Sequence, residues 1–201
     1  MRSLLFIAVF IHSFSVNAQE MIPEGFVMQV LEPTGGKIVR PENWFYTASH
    51  RGPSYNWILS KEDASKSGYE TGVRIQTLVG VEEGTGKSPK TFVLDFLSQK
   101  KKGAQKIHKT CTPSGQDLFT RVCLETEEGD FRILYSLFWG NNIDVVVVSI
   151  AGTKTELWEV YANTFERMST FELIDMKRFE EEDSEPEPSH YRDNAGALHV
   201  Q

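Results

Sequence analysis

Cysteine and histidine are scarce in these 201 residues, which hold two of the first (Cys111 and Cys123) and five of the second. His108 and Cys111 are three apart, a spacing that puts them on opposite faces of a strand, and no second pair has the spacing of metal ligands. No G-x-S-x-G turn is present to expose a nucleophilic serine. The sequence therefore leads to an expectation of no metal, no cofactor and no catalytic residues. Long apolar runs are also missing. Leu4 to Ile11 falls well short of the ~20 residues that a membrane helix needs, and the valines at 145 to 148 are closed off by Asp144 and Ser149. A basic surplus is missing too: residues 19–178 hold 19 Lys and Arg against 21 Asp and Glu. A nucleic-acid footprint requires such a surplus, so that partner class is excluded.

The two ends differ from the body between them. Arg2, the apolar run Leu4 to Ile11 and the small-x-small ending Val16-Asn17-Ala18 have the order of an export signal, so residues 1–18 are expected to be removed. A retained N-terminal anchor is the alternative. No cysteine follows Ala18, which argues against a bacterial lipid anchor. Residues 177–201 carry Glu180, Glu181, Glu182, Asp183, Glu185, Glu187 and Asp193, with Pro186 and Pro188 among them. Such a stretch buries too little apolar surface to offset the entropy of ordering, and from Phe179 onward, with Arg192 as the single base, it accounts for most of the formal charge of −7. It is expected to be a disordered acidic tail, either a solubilising segment or a lure for a basic partner. Residues 19–176 remain, enough for one domain with one core.

Within that body Phe131 to Gly152 is the organising stretch. Phe131, Ile133, Tyr135, Leu137 and Trp139 alternate along one face, and Val145 to Ile150 is β-branched almost throughout, as in a strand covered on both sides. Gly140-Asn141-Asn142 offers the residues that tolerate positive φ between the two. Further strands are expected at 26–31, 37–40, 43–49, 55–60, 72–81, 106–111 and 118–125. Two helices have clear starts. Ser88 caps the first, Pro89 takes its first position, Phe92, Val93, Phe96 and Leu97 share a side, and Lys100-Lys101-Lys102 before Gly103 suits its negative end. The second is expected to begin at Thr153 with Glu156 as a capping box, and to carry Leu157, Val160, Tyr161, Phe165 and Met168 in a stripe. Consecutive strands with short links favour antiparallel pairing, and the expectation is an α+β fold in which an antiparallel sheet is sandwiched by two main helices.

Several residues invite a chemical reading. Gly84-Thr85-Gly86-Lys87-Ser88 ends like a phosphate loop, but the first glycine should stand where Val81 stands, so the segment reads as a lead into the Ser88 cap. Cys111 and Cys123 are expected on neighbouring strands. A turn centred on Asp117 brings them face to face, one centred on Gly115 does not, so a disulfide and two free thiols both remain open. His50 and Arg51 lie among Trp44, Tyr46, Tyr55 and Trp57, a group that forms either a pocket for a ligand or partner or ordinary core. Arg74, Arg121 and Arg132, each on a strand, either converge on an anion or point to solvent.

Order and rhythm along residues 26 to 175 resemble the PsbP and DcrB type of domain, which also includes Ran-binding Mog-type proteins. The resemblance rests on an early strand before Pro41-Glu42-Asn43-Trp44, a long helix at 89–102, a run of antiparallel strands, and a closing helix that ends in Phe171-Glu172-Leu173-Ile174-Asp175. It implies a fold that binds proteins or small ligands, mostly without catalysis, in lumenal, periplasmic or secreted accessory proteins. No shared active-site motif exists to carry residues over. The function expected is a non-catalytic exported binding or accessory domain, periplasmic in a Gram-negative source, its partner an unknown protein or small ligand. A small envelope hydrolase using His50 or His108 with an acid such as Asp144, or an immunity or inhibitor protein, is the alternative.

Overall fold

The β-branched run at 145–150 forms the middle of the molecule because its side chains, alternating across a strand, find apolar partners on both sides. A computed structural model describes residues 22–116 and 118–175. The expected signal at 1–18 and acidic tail at 177–201 lie outside the described residues.

In chain order the elements are β1 (Phe26–Leu31), β2 (Gly35–Pro41), β3 (Phe45–Arg51), β4 (Ser54–Ser60), β5 (Gly72–Val79), α1 (Val81–Thr85) and α2 (Pro89–Gly103). They continue with β6 (Lys106–Thr110), β7 (Ser114–Gln116), β8 (Phe119–Glu128), β9 (Phe131–Gly140), β10 (Val145–Lys154), α3 (Trp158–Met168) and β11 (Glu172–Ile174). Eight strands form one antiparallel sheet in the order β3-β4-β5-β10-β9-β8-β6, with β7 paired to β8. A second sheet has the order β1-β2-β11. The fold is α+β and mostly β.

Register assigns the two faces. Val146 pairs with Trp139 and Val148 with Leu137, and on that face they pack with Val122, Leu124 and Tyr135 against Val81, Val93 and Leu97 of the helices. Val147 pairs with Phe138 and Ala151 with Leu134. Their face, with Val73, Ile75 and Trp57, packs against Trp158, Phe165 and Met168 of α3 and against Leu31 and Ile38 of the small sheet. The cover on this side is therefore half helix and half sheet, where the sequence led us to expect a helix alone. Strands β1 and β2 were expected without their common sheet, and β11, three residues long, was not anticipated.

Local chemistry explains most boundaries. Ser88 caps α2 by accepting from the Thr91 N–H at 3.3 Å, and Pro89 follows it. The helix does not stop at a left-handed glycine: Gly103 is its last residue and Ala104 is extended, because the Gln105 N–H is drawn to Glu127 O at 2.9 Å. Thr153 is not a helix cap either. It pairs with Arg132 inside β10, fully buried, and shares a hydrogen bond with Thr71 Oγ1 at 2.8 Å; α3 begins only after a 3-10 turn at Thr155–Leu157. Sheet pairing outweighs the local capping pattern there. After β4 the chain runs through turns and bends at residues 61–67. The β3–β4 connection is Gly52-Pro53, shorter than the expected gap between 49 and 55 because both strands run on into it.

Cys111 and Cys123 form a disulfide with Cα atoms 4.9 Å apart, resolving the open choice between bridge and thiols. A bridge closing so short a loop is worth about 3 kcal/mol in the chain-entropy account.

Gly36 shows how the small sheet is held. A Cβ there would stand 2.6 Å from Glu172 O and from Leu173 O, backbone atoms of β11, so the strand must be pushed off β2 to admit it. Gly36→Ala is expected to cost about 1–3 kcal/mol, the range of overpacking that shifts backbone. Gly68→Ala, at a position with nothing within 4 Å of the added carbon, should stay within about 0.5 kcal/mol. Urea unfolding of the two variants checks this.

Candidate functional site

Alternation along β8 places Arg121 on the face of Cys123, opposite Phe138 of β9 and under the C-terminal end of α3. Its Nη2 donates to Ser136 Oγ at 3.1 Å and to Ser169 Oγ at 2.9 Å, and both serines are buried. Ser169 in turn donates to Glu166 O at 2.7 Å, which fixes its hydroxyl. The guanidinium carries five N–H donors, and Nη2 accounts for two. Nε is buried and has no hydrogen-bond partner among the described residues.

No carboxylate lies within ion-pair distance of Arg121 among the described residues. Glu166 is the nearest acid to influence it, and that carboxylate is engaged with Lys109 Nζ at 3.2 Å. Burial pushes the guanidinium below its ordinary pKa, with Glu166 acting weakly in the other direction, yet an arginine stays charged at neutral pH. The negative end of the α3 dipole offsets part of the cost. What remains is a half-buried positive charge held by neutral groups.

That charge sits in a cleft of about 400 Å³. Around it stand Leu118, Phe119, Phe138, Phe171, Leu173 and Ile174, so the lining is apolar except for Arg121 and the edge residue Glu172. Glu172 is committed elsewhere, to Lys37 Nζ at 3.1 Å. Phe138 and Phe171 meet edge to face at 5.7 Å and stiffen one wall. The cleft is an open one, with apolar walls and one charged group that can orient what enters it.

The other two arginines do not join it. Arg132 is paired: Nε and Nη2 donate to Glu125 Oε1 at 2.7 and 2.5 Å, Nη1 lies 3.5 Å from Glu159, and the guanidinium stacks 4.7 Å from the Trp158 ring. Arg74 is exposed on the opposite face, beside Gln76. The three arginines thus have three different surroundings, where the sequence left only convergence or solvent.

The aromatic group expected around His50 is divided by depth. Trp44 and Trp57 are buried core, Trp44 edge to face with Phe165 at 6.2 Å, and Trp57 donating its indole N–H to Glu32 O at 2.8 Å. Tyr46 and Tyr55 are half-buried. His50 and Arg51 are exposed at the end of β3, an edge strand, with the His50 ring 5.4 Å from Tyr55 and 5.7 Å from Trp57. The aromatic rings serve as support for the edge, and only His50, Arg51 and part of Tyr55 face outward.

His108 meets Glu127 at 2.5 Å, and Glu127 lines a separate cleft with Asp130, Lys154 and Thr155. Asp144 is away from both histidines: its carboxylate accepts from the Glu82 N–H at 2.9 Å and caps α1. The helix that follows residues 84–88 is α2, and its start is filled by the Ser88 cap.

No family model matches this chain, and no curated protein matches it. Among solved structures it is similar to the solution structure of cyanobacterial PsbP (CyanoP) from Synechocystis sp. PCC 6803, at 10% identity and a TM-score of 0.47, over 78% of this chain and 96% of that one. Neither the site nor the function below rests on that likeness.

If Arg121 lacks an acidic partner and Arg132 has one, their removal should differ. Arg132→Met strands the buried Glu125 carboxylate and is expected to cost about 2–4 kcal/mol, whereas Arg121→Met removes an uncompensated charge and should stay within about 1 kcal/mol. Urea unfolding at pH 7 measures both; equal losses would make Arg121 a structural tie.

Proposed function

We propose that this chain is a non-catalytic binding domain that works outside the cytosol, with the Arg121 cleft as the seat of its ligand. The observation that carries the reading is a charged guanidinium, half-buried and without an acid, in an otherwise apolar cleft. Folding bears the cost of desolvating that charge, and a ligand that supplies the missing partner recovers it on binding. The Cys111–Cys123 bridge supports work in an oxidising compartment, since the reducing cytosol keeps thiols apart. The packing of α2 and α3 on opposite faces of the large sheet supports a PsbP/DcrB-like layout with a main helix on each side.

A second reading, an envelope hydrolase, has one observation in its favour, the His108–Glu127 contact, which is the orienting half of a triad. A nucleophile is the other half. Among the described residues no hydroxyl is hydrogen-bonded to His108, so the binding reading is preferred.

Thermal unfolding in a panel of small organic acids, amines, sugars and short peptides tests the choice. A ligand at a hundred times its Kd adds about 2.7 kcal/mol, which raises Tm by roughly 5–10 °C for a chain of this size. We expect at least one compound class to do so in the wild type and not in Arg121→Met. A panel without such a compound, or ester hydrolysis that His108→Ala abolishes and Arg121→Met leaves intact, would overturn the proposal.

A further inference from the structure

We infer that the Arg121 cleft takes a terminal carboxylate carried on an apolar chain. This rests on the binding reading just given and narrows it to a ligand class, by charge, by donor geometry and by the walls.

Charge comes first. Among the described residues the cleft holds one cation, and the one acid that lines it, Glu172, is neutralised by Lys37. A single positive charge among apolar side chains matches a monoanion. A phosphate dianion would arrive with charge that nothing in the cleft balances, and a cation would meet repulsion. An uncharged acceptor would take a hydrogen bond but leave the charge unbalanced, a weaker contact than a charge-assisted one.

Donor geometry comes second. Ser136 and Ser169 hold the guanidinium through Nη2, one from β9 and one from the end of α3, so its plane is fixed before anything binds. Nε makes no hydrogen bond among the described residues, and because it is closed to solvent a ligand reaches it by displacing part of the lightly held rim. Carboxylate oxygens are the acceptors that planar guanidinium donors fit best, and preorganisation lowers the cost of the contact.

The walls come third. Phe119, Phe138 and Phe171 with Leu173 and Ile174 offer apolar surface for the rest of the ligand, contributed from β8, β9 and the β11 segment. At about 400 Å³ it has room for a chain or side chain of several carbons beyond the carboxylate. Two sources share this chemistry, a free aliphatic acid and the C-terminus of a peptide that ends in apolar residues.

Isothermal titration with octanoate, octylamine and octanol, and with N-acetyl-Ala-Leu-Phe as free acid and as amide, tests the inference. Octanoate or the free-acid peptide should bind with Kd about 1 mM or tighter, and their amine, alcohol or amide counterparts at least tenfold more weakly. Arg121→Met should weaken the acid at least tenfold and leave the weak binding of octanol unchanged. Arg121→Lys, which keeps the charge and loses the planar donors, should fall between; it stands in if the methionine variant does not fold. Octanoate favoured over the peptide assigns a free acid, and the reverse assigns a peptide terminus. Octanol or octylamine binding as tightly as octanoate, lost in Arg121→Met, would overturn the carboxylate while leaving a binding site. No binding of any probe, with a Tm shift from some other compound class, would also overturn it; no binding and no shift would remove the site itself.

Discussion

Burial of both faces of the β9–β10 pair is the constraint on which the rest depends. Val146 and Val148 face α1 and α2 while Val147 and Ala151 face α3 and the small sheet, so neither surface is open to water. A polar side chain that lands there needs a partner inside the protein. The structure supplies them one by one: Thr153 with Thr71, Tyr135 with Glu128, Arg132 with Glu125. Tyr135 shows the consequence, since burial first and the Glu128 carboxylate second push its hydroxyl well above the ordinary range, and it serves as a donor only.

Against that background Arg121 is the exception that gives the fold a use. It belongs to the same sheet, its guanidinium is positioned by two buried serines, and its charge is left over. The rigid part of the cleft is the sheet and its phenylalanines. Its rim is made of the shortest strands, β7 and β11, three residues each, and such strands are the least tied elements of a sheet. A stiff floor under a lightly held rim is a suitable arrangement for admitting a ligand without disturbing the core.

Much of this was legible in the residues. The alternation of Phe131 to Trp139 and the β-branched run after Asp144 located the central hairpin, and Ser88-Pro89 located α2, because these signals are local and nothing distant opposes them. Thr153 misled for the opposite reason: its pairing with Arg132 and Thr71 is decided by strands far away in sequence, and it outweighs a capping pattern. Glu172-Leu173-Ile174 is too short to show strand periodicity, and Gly36 reveals it only once the backbone that covers Gly36 is known. The cleft was half legible. Arg121 stood out as a strand arginine, but whether an acid meets it depends on where Glu166 and Glu172 spend their charges, which no spacing in the sequence records. For the aromatic group around His50 the sequence left pocket and core both open, because strand aromatics of core and site are written alike.

Native-state hydrogen exchange is the direct test of the central pair. The account predicts that amides of Leu134 to Phe138 and Val146 to Ala151 are the slowest in the molecule and exchange only by global unfolding, while those of β3 and β11 exchange orders of magnitude faster through local opening. Central amides exchanging as fast as those edges would contradict it.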